Sequence, residues 1–284
     1  MSSIITSQGL LHYEVIGHGP PLIFLHGWLG SYRIWRESLL HFSKSYRTYT
    51  IEFWGFGESG DREHDLSDKR DTYRVENFVN MVSEFMDRLA IRSAPLVGHS
   101  MGGTISLRFA LKYPEKVQSV MIIGSPVNGK SLAPMLKLAG MPFNAQLLFS
   151  FYGLFRWFMR VYYSKRISSN PEFPAIMDAD LQQLSLQSFL WSINDLRKLN
   201  LVNDIHQIKV PVLGMYGDKD IIVDPDEWQT LLKGLHTAKV VRFENAGHFI
   251  MLDDPARFQS AVTNFLNETN HPHNAWKRTG EEVG

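Results

Sequence analysis

A serine flanked by glycines is the first residue of this sequence whose setting could support chemistry. Ser100 lies in the stretch GHSMGG, with a glycine two positions before it and another two positions after it. A serine hydroxyl becomes a nucleophile when a neighbouring base accepts its proton and a strained turn exposes it. The G-x-S-x-G pattern is short, so the stretch alone is equally compatible with a structural turn.

A histidine near the end of the chain is the candidate base for Ser100. His248 follows Gly247 in the stretch ENAGHFIM, directly after an apolar run that predicts a strand. The chain has 11 histidines, so the alternative is a surface histidine without a special role. His248 is distinguished by its strand-end loop, from which an imidazole can reach across the edge of a sheet.

Carboxylates that could orient this imidazole follow the preceding predicted strand. Asp218 and Asp220 stand in the stretch GDKD, with Asp224 and Asp226 close behind. An acid in this position holds the histidine tautomer and stabilises the imidazolium. Aspartate beside glycine is also a common turn residue. The residues alone leave Asp218 and Asp220 as alternatives.

Two backbone amides are candidates for an oxyanion hole, which needs preorganised N–H donors. Met101 directly follows Ser100 and would supply one donor. The other would come from the loop HGWLG, residues 26–30, after a buried strand. We interpret His26 as a side chain that braces this loop. We interpret Trp28 as the second backbone donor, with its indole forming a wall of the substrate pocket.

The elements around these residues alternate between strands and helices. Short apolar runs predict strands, and apolar positions three and four apart predict helices. Predicted strands cover 21–27, 46–55, 94–98, 117–124, 208–217 and 238–247, and predicted helices cover 31–42, 72–90, 102–113, 226–235 and 255–267. Strands joined by crossover helices predict an α/β fold with a mostly parallel sheet and helices on both faces. Segment 4–15 predicts an antiparallel edge.

One segment interrupts this alternation. Residues 125–207 have a helical pattern, are rich in Met, Phe, Leu and Gln, and are divided by prolines. Because they stand between two strands, we expect an insertion over the carboxyl edge of the sheet, where open α/β sheets bind ligands. The expected organisation is a core of 1–124 and 208–267, a helical cap of 125–207 and a flexible tail of 268–284.

Composition argues against several classes of protein. The chain has 29 basic and 29 acidic residues, whereas a nucleic-acid-binding protein needs a basic excess to neutralise phosphates. It has no cysteine, which excludes disulfides, thiolate catalysis and cysteine-ligated metal sites. We expect chemistry without a metal or a cofactor. The first residues lack a basic stretch followed by an apolar one, so a cytoplasmic protein is the expectation.

Five motifs together resemble those of the α/β-hydrolase superfamily, over about residues 10–267. They are HGW (26–28), GFGES (55–59), GHSMGG (98–103), GDKD (217–220) and AGH (246–248). The resemblance implies Ser100 as nucleophile, Asp220 as acid and His248 as base. It also implies Trp28 and Met101 as oxyanion donors, and it implies that the insertion is the cap found in that family.

The sequence departs from the family pattern at one loop. Residues 52–55 read EFWG where such proteins usually have Asp-x-Pro-Gly, and we expect local repacking there without loss of catalysis. The nucleophile position holds Ser100 rather than an aspartate, which argues against the dehalogenase and epoxide-hydrolase branches.

The expected reaction is metal-free hydrolysis of a carboxylic ester of a small lipophilic substrate through an acyl-enzyme. The same residues could hydrolyse lactones, thioesters or carbon–carbon bonds. From another class, the chain could be a ligand receptor with little turnover. The oligomeric state is left open.

An aromatic stretch of the predicted cap bears on the substrate and on membranes. It places Phe151, Leu154, Phe155, Phe158 and Tyr162 on one helical face, with Arg156 and Arg160 elsewhere. The stripe could pack on the core, or it could roof a lipophilic pocket with Phe151, Phe155 and Phe158 against the substrate. It could also dock on a membrane, with the two arginines facing anionic lipid. A membrane span is not expected, because the apolar run is shorter than about 20 residues and is interrupted by charge.

Overall fold

A computed structural model describes residues 2–59 and 72–270 and is built on an eight-stranded sheet. The strands are β1 (Ser2–Thr6), β2 (Gly9–Ile16), β3 (Pro21–Leu25), β4 (Arg47–Ile51), β5 (Ala94–His99), β6 (Val117–Ile123), β7 (Val212–Gly217) and β8 (Lys239–Phe243). Their order in the sheet is β1-β2-β4-β3-β5-β6-β7-β8. β1 pairs antiparallel with β2, and β2 pairs antiparallel with β4. All the other neighbouring strands, from β4 across the sheet to β8, pair parallel. The predicted mostly parallel sheet is confirmed, and its N-terminal edge is a hairpin of two strands.

Helices occupy the connections between the strands. In chain order they are α1 (Arg36–Phe42), α2 (Val75–Arg88), α3 (Met101–Lys112), α4 (Pro134–Ala139), α5 (Pro142–Ser150), α6 (Tyr152–Phe158), α7 (Ser164–Ile167), α8 (Phe173–Gln182), α9 (Leu186–Leu196), α10 (Glu227–Gly234), α11 (Ile250–Asp253) and α12 (Pro255–Asn270). A π-helical turn, Met159–Tyr163, joins α6 to α7. Within residues 2–59 and 72–270, no helix has both the length and the apolar character needed to cross a bilayer.

The helices cover both faces of the sheet, as predicted. Phe24 of β3 pairs in register with Thr50 of β4, and the Phe24 ring lies 5.2 Å from Trp35, next to α1. Tyr49, the neighbour of Thr50 on β4, therefore points to the opposite face. Its ring lies 5.9 Å from Phe85 of α2. The first face carries α1 and α12, which contact each other, and the second carries α2 and α3.

Six helices, α4 to α9, lie between β6 and β7 in the segment predicted to be an insertion. Pro134, Pro142 and Pro174 stand in the first turns of α4, α5 and α8, where the fixed φ of proline suits a helix and its missing N–H costs nothing. The segment is tied to a neighbouring helix of the core by a carboxylate. Asp195 Oδ2 of α9 accepts a 2.9 Å hydrogen bond from the Val75 N–H of α2.

The last helix runs further than predicted. Helix α12 extends to Asn270, so residues 268–270 are helical and not part of a tail. The remaining residues of the predicted tail, 271–284, lie outside the described residues.

The loop that departs from the family pattern wraps around a buried carboxylate. Glu52 follows β4 and is fully buried. Its Oε2 accepts a 2.6 Å hydrogen bond from the Glu58 N–H. A Cβ on Gly57, where φ is +53°, would lie 2.3 Å from Glu52 Oε1, so only glycine lets the turn close around the carboxylate. Burial raises the pKa of Glu52 to about 7, because it outweighs the hydrogen bonds from the backbone of Glu58 and Tyr32.

Because its pKa is raised, Glu52 destabilises the folded state more as the pH increases. Between the ordinary pKa of 4.5 and about 7, the folded state binds more protons at Glu52 than the unfolded state, so its contribution to stability falls as pH rises. We compare the free energy of unfolding of Glu52→Gln with that of the wild type. The variant's advantage should grow by about 1.4 kcal/mol or more when the pH is raised from about 5 to about 8. Urea unfolding at both pH values measures this, with the more exposed Glu58→Gln as control. An equal difference at both pH values would contradict the prediction.

Candidate active site

The glycine-flanked serine occupies a strained turn between β5 and α3. Ser100 has φ +51° and ψ −118°, and its N–H donates a 2.8 Å hydrogen bond to the carbonyl of Ile123 at the end of β6. The turn is tight because its neighbours lack side chains. A Cβ on Gly98 would lie 2.4 Å from the Gly102 carbonyl oxygen, and a Cβ on Gly102 would lie 2.3 Å from that of Leu25.

A buried carboxylate–imidazole pair lies at the same edge of the sheet. His248 Nδ1 is 2.7 Å from Asp220 Oδ2, and the two side chains are 4% and 3% exposed. The other oxygen, Oδ1, accepts hydrogen bonds from the N–H groups of Ile222 and Val223 at 2.7 and 3.0 Å. With the carboxylate held in this way, Nδ1–H donates to Oδ2, and the lone pair of the imidazole is on Nε2.

The structure separates the two aspartates that the sequence left as alternatives. Asp218 Oδ1 accepts hydrogen bonds from Arg242 Nη2 at 2.8 Å and Nε at 3.1 Å, so Asp218 forms a surface ion pair. Asp224 accepts from the backbone N–H of Asp226, which is a turn contact. Asp220 is the one of these four that contacts the imidazole of His248.

A glycine missed by the sequence analysis makes room for this pair. Gly124 ends the run VMIIG after β6, with φ +51°. A Cβ there would lie 3.1 Å from His248 Nδ1 and 3.2 Å from Asp220 Oδ2. Its position directly after a strand, level with Ser100 on β5, is the signal that could have identified it.

The histidine that precedes Ser100 holds the loop of His248. His99 Nε2 lies 3.0 Å from the carbonyl oxygen of His248, and because a carbonyl only accepts, Nε2 carries the proton and donates. Burial, and secondarily the charge of His248, lowers the pKa of His99 well below its usual value, which keeps the ring neutral. The N–H of His248 donates to the carbonyl of Ile167 in α7 at 3.1 Å. The inserted segment thus also fixes this loop.

The loop after β3 passes directly beside the serine. A Cβ on Gly27 would lie 3.0 Å from the Cβ of Ser100. Leu29, in the same loop, has φ +58°, a strained conformation of the kind that clusters at functional sites. His26 Nδ1–H donates to the Gly27 carbonyl at 2.7 Å, and Nε2 accepts from the Phe53 N–H at 3.0 Å. Burial lowers the pKa of His26 to about 4, so it braces the loop as a neutral ring.

The two predicted amide donors belong to residues near Ser100, since Met101 follows it in the chain and Trp28 lines the same cavity. Met101 is the first residue of α3, where a helical N–H has no intrahelical acceptor. Trp28 stands in the β3 loop. Within the described residues, neither N–H donates a hydrogen bond to another protein group. The Trp28 indole N–H donates to the Phe189 carbonyl of α9 at 3.2 Å, which ties the loop to the inserted segment.

Ser100, His248 and Trp28 line one narrow cavity with a volume of about 60 Å³. The inserted segment supplies most of the remaining wall, through Leu132, Leu136, Met159, Tyr163, Ile167, Phe173, Met177, Asp180, Ile193 and Leu196. Nearly all of these side chains are apolar. A larger surface groove of about 810 Å³ lies beside Arg33 and Arg36, and neither Ser100 nor His248 lines it.

The aromatic residues predicted to contact the substrate do not lie on this cavity. Phe151 and Phe158 are exposed, and Phe155 packs against Phe189 with ring centroids 6.2 Å apart. None of the three lines the cavity. The inward positions of this helix are instead Met159 and Tyr163, in the π-helical turn, which a pattern with a uniform period of 3.6 residues does not anticipate.

One carboxylate reaches the cavity wall. Asp180 Oδ1 accepts hydrogen bonds from Ser31 Oγ at 2.6 Å and Arg33 Nη1 at 3.1 Å, and these contacts join α8 to the loop before α1. Burial raises the pKa of Asp180 to about 6 against the effect of both partners. Within the described residues, no group of three histidine or acidic side chains has a geometry that could hold a metal ion.

Comparison with known proteins identifies the fold family. Residues 20–169 match the family model described as alpha/beta hydrolase fold. The chain is 26% identical to AB hydrolase superfamily protein YisY of Bacillus subtilis, over 90% of this chain and 95% of that protein. It is 23% identical to a pimeloyl-[acyl-carrier protein] methyl ester esterase of Wigglesworthia glossinidia brevipalpis, over 91% and 98%.

Two further similarities were found. One is to an enzyme of a different reaction, and the other is a similarity of fold. The chain is 24% identical to bifunctional epoxide hydrolase 2 of mouse, over 90% of this chain but only 53% of that protein, so it spans about half of it. The structure of an esterase from Exiguobacterium antarcticum superposes with a TM-score of 0.77 at 19% identity, over 94% of this chain and 99% of that one. The family model covers more than half of the 284 residues, and the chain therefore belongs to the alpha/beta hydrolase family.

Proposed function

We propose that this hydrolase cleaves carboxylic esters of small lipophilic substrates, with Ser100 as nucleophile, His248 as base and Asp220 as the acid that orients it. The observation that carries the proposal is the buried 2.7 Å contact between His248 Nδ1 and Asp220 Oδ2, on a cavity that Ser100 also lines. A buried carboxylate is costly unless it is fully hydrogen-bonded, and Asp220 meets this requirement through His248 and two backbone N–H groups.

Acylation follows from these positions. His248 Nε2 accepts the Ser100 hydroxyl proton while Oγ attacks the carbonyl carbon of the ester. Asp220 stabilises the imidazolium that forms. The tetrahedral intermediate collapses, its bond to the alcohol oxygen breaks, and the imidazolium returns the proton to the departing alcohol. The backbone amides of Met101, which follows Ser100, and Trp28, which lines the same cavity, would donate to the oxyanion during this step.

Deacylation repeats the same proton transfers with water. His248 Nε2 takes a proton from a water molecule, the resulting hydroxide attacks the acyl-enzyme, and Ser100 recovers its proton as the acid leaves. Burial and the nearby charge of Asp220 raise the pKa of Tyr163, on the cavity wall, to about 12. Its phenol therefore stays neutral and does not compete with His248 as a base.

The walls of the cavity support a small lipophilic substrate. They are apolar apart from Asp180 and the reacting groups, and Asp180 is already paired with Ser31 and Arg33. We propose that residues 125–207 act as a cap, because they provide most of this wall and contact the loops of Trp28 and His248. Serine at the nucleophile position favours ester hydrolysis over epoxide opening, in spite of the similarity to an epoxide hydrolase.

The nucleophile can be tested directly. We expect Ser100→Ala to lower kcat by about 10³-fold or more, because the acyl-enzyme cannot form, while the melting temperature changes little. Hydrolysis of p-nitrophenyl esters measures turnover, and a fluorophosphonate probe should label the wild type and not the variant. Full activity of Ser100→Ala would refute the proposal. Labelling without turnover on any ester would favour thioester or carbon–carbon chemistry, and ligand binding without labelling would favour a receptor.

The acid has a matched control in the same loop. Asp220→Asn keeps the shape of the side chain but no longer favours the tautomer with the Nε2 lone pair, so kcat should fall on the order of 10³-fold. Asp218→Asn removes only a surface ion pair with Arg242, and kcat should change by less than about threefold. Steady-state kinetics on one ester compares the two variants. Equal effects would remove Asp220 from its proposed role.

A further inference from the structure

The outer side of the inserted segment concentrates exposed apolar side chains. We define the outer apolar surface as Phe143, Leu147, Phe151, Leu154, Trp157, Phe158 and Tyr162, which are 45% to 75% exposed. Met135, Leu138 and Met141, just before them in the chain, are comparably exposed. In the rest of the described residues, large apolar side chains this exposed are scattered singly, at Ile5, Leu40 and Ile221.

These side chains form a continuous surface. Leu147, Phe151, Leu154, Trp157 and Phe158 line one shallow groove of about 390 Å³. Tyr162 extends it, because its ring lies 5.4 Å from Trp157 and 6.1 Å from Phe158. Contiguous exposed apolar surface of this extent marks a site of interaction with a protein or a membrane.

Basic residues predominate in the stretch of chain that forms this surface. Residues 130–171 contain no Asp or Glu and six basic residues, namely Lys130, Lys137, Arg156, Arg160, Lys165 and Arg166, although the chain as a whole has no net charge. Arg156 is neutralised by Asp178 of α8 at 3.0 Å, and the more exposed Arg160 lies 3.9 Å from the same carboxylate. Lys165 and Arg166 are exposed, and the described residues place no carboxylate within 4.0 Å of either.

The other side of the same helix is the wall of the catalytic cavity. Met159 and Tyr163 face Ser100 and His248 across the cavity, while Phe158 and Tyr162, the residues just before each of them, lie on the outer apolar surface. One helix thickness therefore separates that surface from the proposed reaction site.

We propose that the outer apolar surface docks peripherally on membranes that contain anionic lipids, and that the hydrolase takes its lipophilic ester from that membrane. Bulky apolar side chains bordered by basic ones are the composition that binds at the interface of an anionic bilayer. Trp157 and Tyr162 are the residue types enriched at headgroup depth. The second half of the proposal rests on the proposed function, whereas the docking itself does not.

Charge disfavours a second copy of this chain as the occupant. If two copies packed face to face, each would bring Arg160, Lys165 and Arg166 to the same interface, and this excess of positive charge would oppose association. An anionic lipid surface meets the same groups with opposite charge. That attraction is screened by salt, so docking should weaken as ionic strength rises.

Flotation of the full-length protein with vesicles tests the docking. The probes are vesicles of phosphatidylcholine alone and vesicles with about one third phosphatidylglycerol, at about 0.05 M and about 0.5 M NaCl. We expect binding to the anionic vesicles at low salt and at least about tenfold weaker binding to the neutral ones. Brominated lipids should quench tryptophan fluorescence in the wild type and much less in Trp157→Phe.

Matched variants separate this surface from general hydrophobicity. Leu147→Ser with Leu154→Ser should weaken vesicle binding about tenfold or more, because both side chains would be buried in the interface. Ile5→Ser with Leu40→Ser removes equally exposed apolar side chains elsewhere and should leave binding unchanged. Lys165→Glu with Arg166→Glu should abolish the preference for anionic vesicles. Equal binding by the first two double variants, or no wild-type binding to anionic vesicles, would overturn the proposal.

Two further measurements keep the outcomes distinct. A dimer that Leu147→Ser with Leu154→Ser dissociates in sedimentation velocity would assign the surface to a second copy and overturn membrane docking. Ser100→Ala should bind vesicles as the wild type does, because docking requires no turnover. Normal docking together with inactivity on every ester would reject the proposed function alone. Hydrolysis of soluble short-chain esters without docking would reject only this inference.

Discussion

The left-handed backbone at Ser100 constrains the rest of the site, because a side-chain-bearing residue keeps such a conformation only where its surroundings overdetermine it. Here the hydrogen bond to Ile123 fixes the turn against β6, and the missing side chains of Gly98 and Gly102 let β5, α3 and the end of β3 approach within contact. The three strands that meet at this point, β3, β5 and β6, are therefore adjacent at the centre of the sheet. The loop of Trp28 is carried to Ser100 by the same packing.

Burial of the carboxylate imposes a second requirement on the neighbouring strands. Asp220 satisfies one oxygen with two backbone N–H groups and the other with His248, so the loop after β7 and the loop after β8 have to meet. The parallel pairing of β7 with β8 brings their carboxyl ends together. His99 and Ile167 then hold the carbonyl and the N–H of His248, which leaves the imidazole little freedom to leave its partner.

Sequence patterns predict the parts of this arrangement that depend on local composition. Apolar runs located the strands to within a few residues, and the glycines around Ser100 indicated a tight turn, because both signals lie within a few consecutive positions. The residue types alone left Asp218 and Asp220 as alternatives, and only the resemblance of GDKD to the family motif favoured Asp220, because the contact that engages Asp218 comes from Arg242 on another strand. The supporting roles of His99 and Gly124 depend in the same way on contacts with the distant loop of His248.

The aromatic segment shows why an apolar stripe does not determine what it faces. A helix whose apolar residues outnumber its polar ones has two apolar sides, and the period of the pattern cannot say which side meets the core. The π-helical turn at Met159–Tyr163 shifts the phase within the helix, so that Met159 and Tyr163 enter the cavity while Phe158 and Tyr162 remain outside. The same stretch of chain therefore lines the cavity of Ser100 and His248 with one side and presents an exposed apolar surface with the other. This double use accounts for an exposed aromatic surface that packing of the core would not require.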